Sequence, residues 1–321
     1  MFEVLRYNSE HKCEWDSFVP KKNNGTIFHL RSFLAYHPES RFKDHSLLFY
    51  KKSKLFSVFP AAQKIINKKL YIISHPGATL GSFVVPEDLS ISDALSLVQT
   101  LKKYCKENSF DNIQVTTPPN LYQYRLSNYM EFSYLRNGFS YLKREVTSIL
   151  HLENNIDKNL EKFRPSHKRA IKKGEGNGLI CIESNDFENF YLILEKNLKT
   201  RHGVIPTHTL NELKTLHKIF PEKIKLFSSF YKGKMIAGVL NFIINKQVVL
   251  AFYITHNESY NDIRPLNLLF YKMFEWAIKS NFKIYDFGIF TVNGNPNMGL
   301  GRFKENFGSS GIFRDTFEIS L

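Results

Sequence analysis

Two stretches of the chain, KSKLFSVFPAAQKIINKK (52–69) and KGKMIAGVLNFIINKQ (232–247), carry the same punctuation. Each has Lys-x-Lys, an apolar strand pattern, and then Ile-Ile-Asn-Lys. After each comes more strand, a helix ending in Asn-Ser-Phe or Ser-Asn-Phe, and a final apolar run, DNIQV or KIYDF. One resemblance between short hairpins arises by chance, whereas the shared order points to duplication of one unit. That unit, antiparallel strands, a helix and another strand, predicts an α+β (mixed α/β) arrangement, not a run of βαβ repeats. A length of 321 residues agrees with two such units, because a single core rarely grows that large. The boundary is expected at HLENNIDKN, giving domains 1–152 and 153–321.

Within this frame, residues 44–61 alternate as two strands around KKSK, and 69–85 add further strand character. The apolar spacing of ISDALSLVQTLKKYCKENSF predicts a helix with Ser92 as its N-cap. DNIQVTT reads as a strand stopped by Pro118 and Pro119. Helices are expected at 186–201 and 208–219, followed by three antiparallel strands in IKLFSSFYKGKMIAGVLNFIINKQVVLAFYI. RPLNLLFYKMFEWAIKSNF reads as an amphipathic helix with Pro265 in its first turn and Arg264 extended before it.

Composition narrows the class of protein. Hydrophobic residues make up 43% of the chain and aromatics 15%, enough for a folded core. Lys and Arg exceed Asp and Glu by 44 to 30, a net charge of +14. This fits attraction to a polyanion (RNA, anionic lipid heads, phosphorylated cofactors) and equally a solvated lysine-rich surface. Cys13, Cys105 and Cys181 have neither disulfide-framework nor zinc spacing, so no metal is expected and a reducing compartment is favoured. No secretion signal opens the chain, and its most apolar window is cut by Asn241, Asn245, Lys246 and Gln247. Both point to a cytoplasmic protein.

Four stretches could carry chemistry. A helix starting at Pro265 beside Arg264 makes a generic anion site, or simply a well-started helix. EKFRPSHKRAIKKGEGNG sets Arg164, Lys168 and Lys172 four residues apart, with Arg169 and Lys173 beside them. This basic face would suit a phosphate-bearing ligand or solvent. Arg201 and His202 precede Gly203 at a helix end, where cations complement the dipole or line a cleft. SHPGATLGS (74–82) either lines a groove or turns a strand. There is no GxSxG elbow, HExxH, GxGxxG after a strand, or Walker spacing. What remains is chemistry that depends on positioning, such as acyl transfer to an amine.

The helix with Trp276-Ala277, then Tyr285-Asp286-Phe287-Gly288, a Gly/Asn loop and GLGRFKENFG (299–308) resembles the C-terminal region of FemAB-like acyltransferases. These form the double-domain branch of the GNAT (Gcn5-related N-acetyltransferase) fold. RPSHKRAIKKGEGNG is similar to their basic helix. The resemblance implies two tandem GNAT-like domains, each a mostly antiparallel central sheet flanked by helices. It implies transfer of an acyl or aminoacyl group from acyl-CoA or aminoacyl-tRNA to an amine of a cell-envelope precursor or amino sugar. Carried over by position, Lys304 stabilises the oxyanion, Asp286 handles the amine, and Phe303 packs on the donor. The donor would occupy the gap between VVLAFYIT and KIYDFGIF, bringing in Tyr253, with Tyr260, Arg264 and Asn267 at the next helix. Arg201, His202, Lys168 and Arg169 are further candidates for substrate contact. Possible partners are tRNA and a peripheral membrane surface, but not DNA. The sequence departs from acyl-CoA-binding GNATs at NESYNDIRP, which has no glycine where a pyrophosphate loop is usual. A non-enzymatic basic protein binding RNA or anionic membrane is the competing expectation.

Overall fold

The computed structural model describes residues 2–38 and 40–321, with the side chains of Arg201 and His202 outside the described residues. The chain divides into two compact units, Met1–Glu145 with Phe313–Leu321, and Val146–Ile312. The division thus falls a few residues before the expected boundary, and the last nine residues do not stay with the second half. They belong to the first unit because their strand pairs antiparallel with Asn112–Thr116.

In the first unit, β1 (Glu3–Arg6), α1 (Lys12–Phe18) and α2 (Arg31–Leu34) lead into β2 (Lys43–Asp44), β3 (Leu47–Lys51) and β4 (Lys54–Phe59). Next come β5 (Ala61–Ile66), β6 (Lys69–Ser74), α3 (Ile91–Glu107), β7 (Asn112–Thr116), α4 (Tyr129–Arg136) and β8 (Ser140–His151), along which the chain leaves the unit. In the second unit, α5 (Ile156–Glu161) and α6 (Pro165–Gly176) precede β9 (Ile180–Ser184), α7 (Phe187–His202) and α8 (Leu210–Ile219). Then follow β10 (Ile224–Tyr231), β11 (Lys234–Ile243), β12 (Val248–His256), α9 (Pro265–Lys279) and β13 (Ile284–Ile289). A small hairpin, β14 (Thr291–Val292) and β15 (Asn295–Pro296), leads to α10 (Met298–Glu305), and β16 (Ser310–Ser320) returns the chain to the first unit.

The duplicated sequence folds as a duplicated topology. The main sheet of the first unit runs β2-β5-β6-β7-β16 and that of the second β8-β13-β12-β11-β10-β9. Each has one parallel pair, β6 with β7 and β12 with β13, among antiparallel neighbours. In both cases the crossover is the long amphipathic helix, α3 or α9. The two Lys-x-Lys motifs mark matching turns, with positive φ at Lys52 and Ser53 and again at Lys232 and Gly233. Pro60 lacks an N–H, and in the first unit it separates β4 from β5, where the second unit has the single strand β11.

Several local expectations change. Ser90, not Ser92, caps α3: its side chain accepts the Asp93 N–H at 3.0 Å, so Ser92 already lies inside the helix. Strand character ends at Ser74. The following segment bends back, donating Gly81 N–H to Thr116 O at 2.8 Å, and meets the three-stranded sheet β1-β3-β4 through a bridge from Val84 to Val58 and through Phe83, whose ring lies 5.1 Å from that of Phe49 and 4.9 Å from that of Phe59.

The second unit's core lies mainly between the sheet and α9, joining Val239, Val249, Met273, Phe274, Tyr285, Phe287 and Phe307. On the other face, α7 lays Phe190 against the strands at Gly238, where a Cβ would come within 2.6 Å of the ring. Only glycine admits that approach. Inside the core, Tyr285 donates its hydroxyl to Asn241 Oδ1 at 2.6 Å, so both polar groups are paired.

Candidate active site

Strands β12 and β13 stay in register for three residues, Val248 with Ile284 through Leu250 with Asp286. Beyond that point each departs from its other neighbour's register. β12 shifts against β11 where Leu240 pairs with Tyr253 but Asn241 pairs with Ala251. β13 shifts against β8 between Asp286 and Ile289. Bulges bend strands and interrupt pairing, and with both strands bulged at the same level the parallel ladder ends there. Phe287 and Gly288 form the bulge on β13, and Gly288 has φ +78, which a side chain adopts only with strain.

Asp286 and Lys304 meet on this bulge from opposite directions. Asp286 is fully buried and its Oδ1 accepts the Thr147 hydroxyl at 2.5 Å and the Gly288 N–H at 2.7 Å. Lys304 is 1% exposed, and its Nζ donates to Gly288 O at 2.6 Å and Ile289 O at 2.9 Å. Gly288 therefore has its N–H held by the acid and its carbonyl by the lysine. The segment expected as a polar loop is more ordered than its composition indicated. Asn293 and Gly294, at φ 50 and 78, make a two-residue hairpin turn between β14 and β15. Asn297 then caps α10 by accepting the Leu300 N–H at 3.0 Å. Lys304 is thus a residue of a helix, not of a loop.

Phe303, one residue earlier on α10, points into an aromatic cluster with Phe270, Phe307 and His167, whose ring centroids lie 5.9, 5.3 and 5.6 Å away. His167 was not singled out in the sequence, where it reads as one more polar residue of a basic helix. It is 8% exposed, with its ring 4.4 Å from that of Phe307, and its Nε2 has no hydrogen-bond partner. Burial pushes its pKa down to about 4, with a smaller upward pull from the Phe303 backbone and a smaller downward push from Arg264. The imidazole is neutral at physiological pH.

The remaining candidates fall in three places. Tyr260, Arg264 and Asn267 line the connection from β12 to α9. The glycine-free NESYNDIRP forms a short 3-10 helix over Glu258–Ile263. Arg264 is left-handed, φ 55 and ψ 53, rather than extended. Proline crowds the right-handed region for its predecessor, and the chain must turn from one helix into the next at a single residue. Asn267 is buried in the first turn of α9, while Arg264 is exposed. Tyr253 turns away from α9, its hydroxyl 3.0 Å from His208 Nδ1, and burial raises its pKa. Lys168 is half-buried and Arg169 exposed on α6. The side chains of Arg201 and His202, expected to contact substrate, lie outside the described residues. A groove of about 580 Å³ between α7, the β10–β11 turn and the end of β12 is lined by Asn197, Phe230, His256 and Ser259 among others. None of these had a distinguishing sequence signal.

Past its parallel pair the first unit differs from the second. In the first unit the corresponding place is filled by the chain itself: Ser74 Oγ accepts the Thr116 N–H at 2.8 Å and Gly81 donates to Thr116 O. This resolves SHPGATLGS as a turn that seals its own strands.

A parallel pair joined through a long helix and ending at facing bulges, with α7 and α8 on the opposite face, is a GNAT arrangement. Residues 161–305 match the family model of the Acetyltransferase (GNAT) domain. No curated protein matches the sequence. Among solved structures, FemX is similar over 99% of this chain and 97% of its own, with a TM-score of 0.77 and 14% identity. A tandem GNAT protein from the clavulanic acid biosynthesis pathway, described without AcCoA, aligns over 100% and 98% with a TM-score of 0.58 and 9% identity. The L-PGS of Bacillus licheniformis aligns over 97% and 90%, with a TM-score of 0.59 and 11% identity.

Fold and matched domain together define an acyltransferase of the GNAT class, built as two tandem GNAT-like units. Over the whole chain, the tandem-unit fold is the one seen in FemX. The reading as a non-enzymatic basic binding protein is not favoured.

Proposed function

We propose that the second unit transfers an acyl or aminoacyl group from an activated donor, acyl-CoA or aminoacyl-tRNA, to an amine of a cell-envelope precursor or amino sugar. The observation that carries this reading is the Lys304 ammonium, fixed by two carbonyls at the end of β13, past the last residue that pairs with β12. Attack of the amine nitrogen on the donor carbonyl converts its oxygen to an oxyanion. A buried, pre-oriented cation stabilises that charge far better than water does, because it need not reorganise during the reaction. Collapse then breaks the thioester C–S or the ester C–O bond. The leaving thiolate or ribose oxygen takes up a proton as the amine gives one up.

In this reading Asp286 acts first as the clamp that holds the Gly288 bulge, and so the position of Lys304. Whether it also receives the amine proton is tested by the pH dependence of Asp286→Asn. Phe303 packs on the acyl group or base. Arg264, Tyr260 and Asn267, with Lys168 and Arg169 on α6, meet the donor phosphates in place of a glycine-rich loop. The resemblance to FemAB-like proteins supports the envelope precursor as acceptor.

The test is a transfer assay on the full-length protein. Labelled acyl-CoAs and aminoacyl-tRNAs are supplied in turn, with nucleotide-activated amino sugars and envelope precursors as acceptors. Time-dependent amide formation from one donor is expected. A folded protein that transfers label from no donor to any acceptor contradicts the proposal.

A further inference from the structure

Helix α4 in the first unit presents an apolar strip to solvent. Leu126, Tyr129, Phe132 and Leu135 are 66%, 45%, 52% and 41% exposed. Tyr129, Phe132 and Leu135 recur every three residues along the helix and so share one side, and Leu126 stands in the segment leading into it. The opposite side is anchored. Ser133 and Tyr134 are buried, the Tyr134 hydroxyl pairs with Ser82 at 2.9 Å, and Met130 packs on the core. The helix therefore cannot roll to hide the strip. Single exposed apolar residues are ordinary, whereas three on one face of one short helix, with a fourth in its lead-in, mark a contact surface.

The charges around the strip indicate what covers it. Arg125 and Arg136 are exposed at its two ends. The only carboxylate between residues 121 and 136 is Glu131, and it accepts the Tyr141 hydroxyl at 2.6 Å. An apolar face with a tyrosine, bounded by arginines, fits a lipid boundary. Leucine and phenylalanine enter the acyl region, tyrosine sits at headgroup level, and arginines meet phosphates. Among the described residues no helix is long and apolar enough to cross a membrane, so such contact is at the surface.

We propose that this face of α4 docks the protein peripherally on an anionic phospholipid surface. The inference is independent of the chemistry proposed for the second unit.

Co-sedimentation of the full-length protein with phosphatidylglycerol-containing vesicles, and with phosphatidylcholine vesicles alone, tests it. Retention on the anionic vesicles is expected, weakening with added salt. Leu126→Glu combined with Phe132→Glu should reduce retention about 10-fold or more, and Arg125→Ala about five-fold, with melting temperature unchanged. If the glutamate pair unfolds, Leu126→Gln with Phe132→Gln replaces it. Three results overturn the proposal: no retention on anionic vesicles, retention indifferent to these substitutions, or a solution dimer broken by them without vesicle binding. The last would assign the strip to a second copy.

Discussion

Gly288 and Tyr285 show how much of the site rests on single residues of one strand. Gly288 is left-handed and sits between the Asp286 carboxylate and the Lys304 ammonium. Gly288→Ala forces a side chain into that region at a cost of about 1–2 kcal/mol. It should lower the denaturation midpoint and, by relaxing the bulge, reduce turnover more than stability alone explains. A variant with unchanged midpoint and rate would show that the bulge is not needed. Tyr285→Phe tests a different matter, the core beneath the site. It strands the buried Asn241 Oδ1, and denaturant titration should register a loss of about 1–3 kcal/mol.

At the scale of elements, α3 and α9 separate what was legible from what was not. Their apolar periodicity and Pro265 gave both helices, since a repeating face is a local signal. The start of α3 was misjudged because Ser90 and Ser92 both suit an N-cap, and only backbone geometry chooses between them. Ser90→Ala should therefore cost about 1 kcal/mol in thermal or chemical melts, while Ser92→Ala should cost much less; the reverse order would restore Ser92 as the cap. The β14–β15 hairpin did have a signal, Asn293-Gly294, hidden by the surrounding Asn, Pro and Gly. His167 had none. Its burial comes from Phe303 on α10 and Phe307 in the turn after it, more than a hundred residues away, and no local pattern reports such a contact. The left-handed Arg264 likewise follows from how α9 is entered, not from its neighbours in sequence.

For the whole molecule, duplication fixed the architecture while divergence within it assigned the chemistry. One parallel pair is closed by its own Gly81 and Ser74, and the other ends at the bulge held by Asp286 and Lys304. Acid sensitivity is also a property of both units. Burial lowers His29, His45, His75 and His167 from 6.5 to about 4. Between these values the unfolded chain binds protons that the folded chain refuses, so stability is full above about pH 6.5 and falls as pH drops toward 4. Melting temperature measured across that interval should decline. A flat profile would mean these histidines are protonated in the native state.

The central claim, that the Lys304 charge stabilises an acyl-transfer oxyanion, is tested most directly by the turnover number of Lys304→Gln. Glutamine keeps an N–H donor on a long side chain but removes the charge, and the melting temperature taken alongside shows whether the fold survives. The account predicts a folded protein with turnover reduced about 100-fold or more. A folded variant working at close to the wild-type rate would contradict it, leaving Lys304 as a structural tie between α10 and β13.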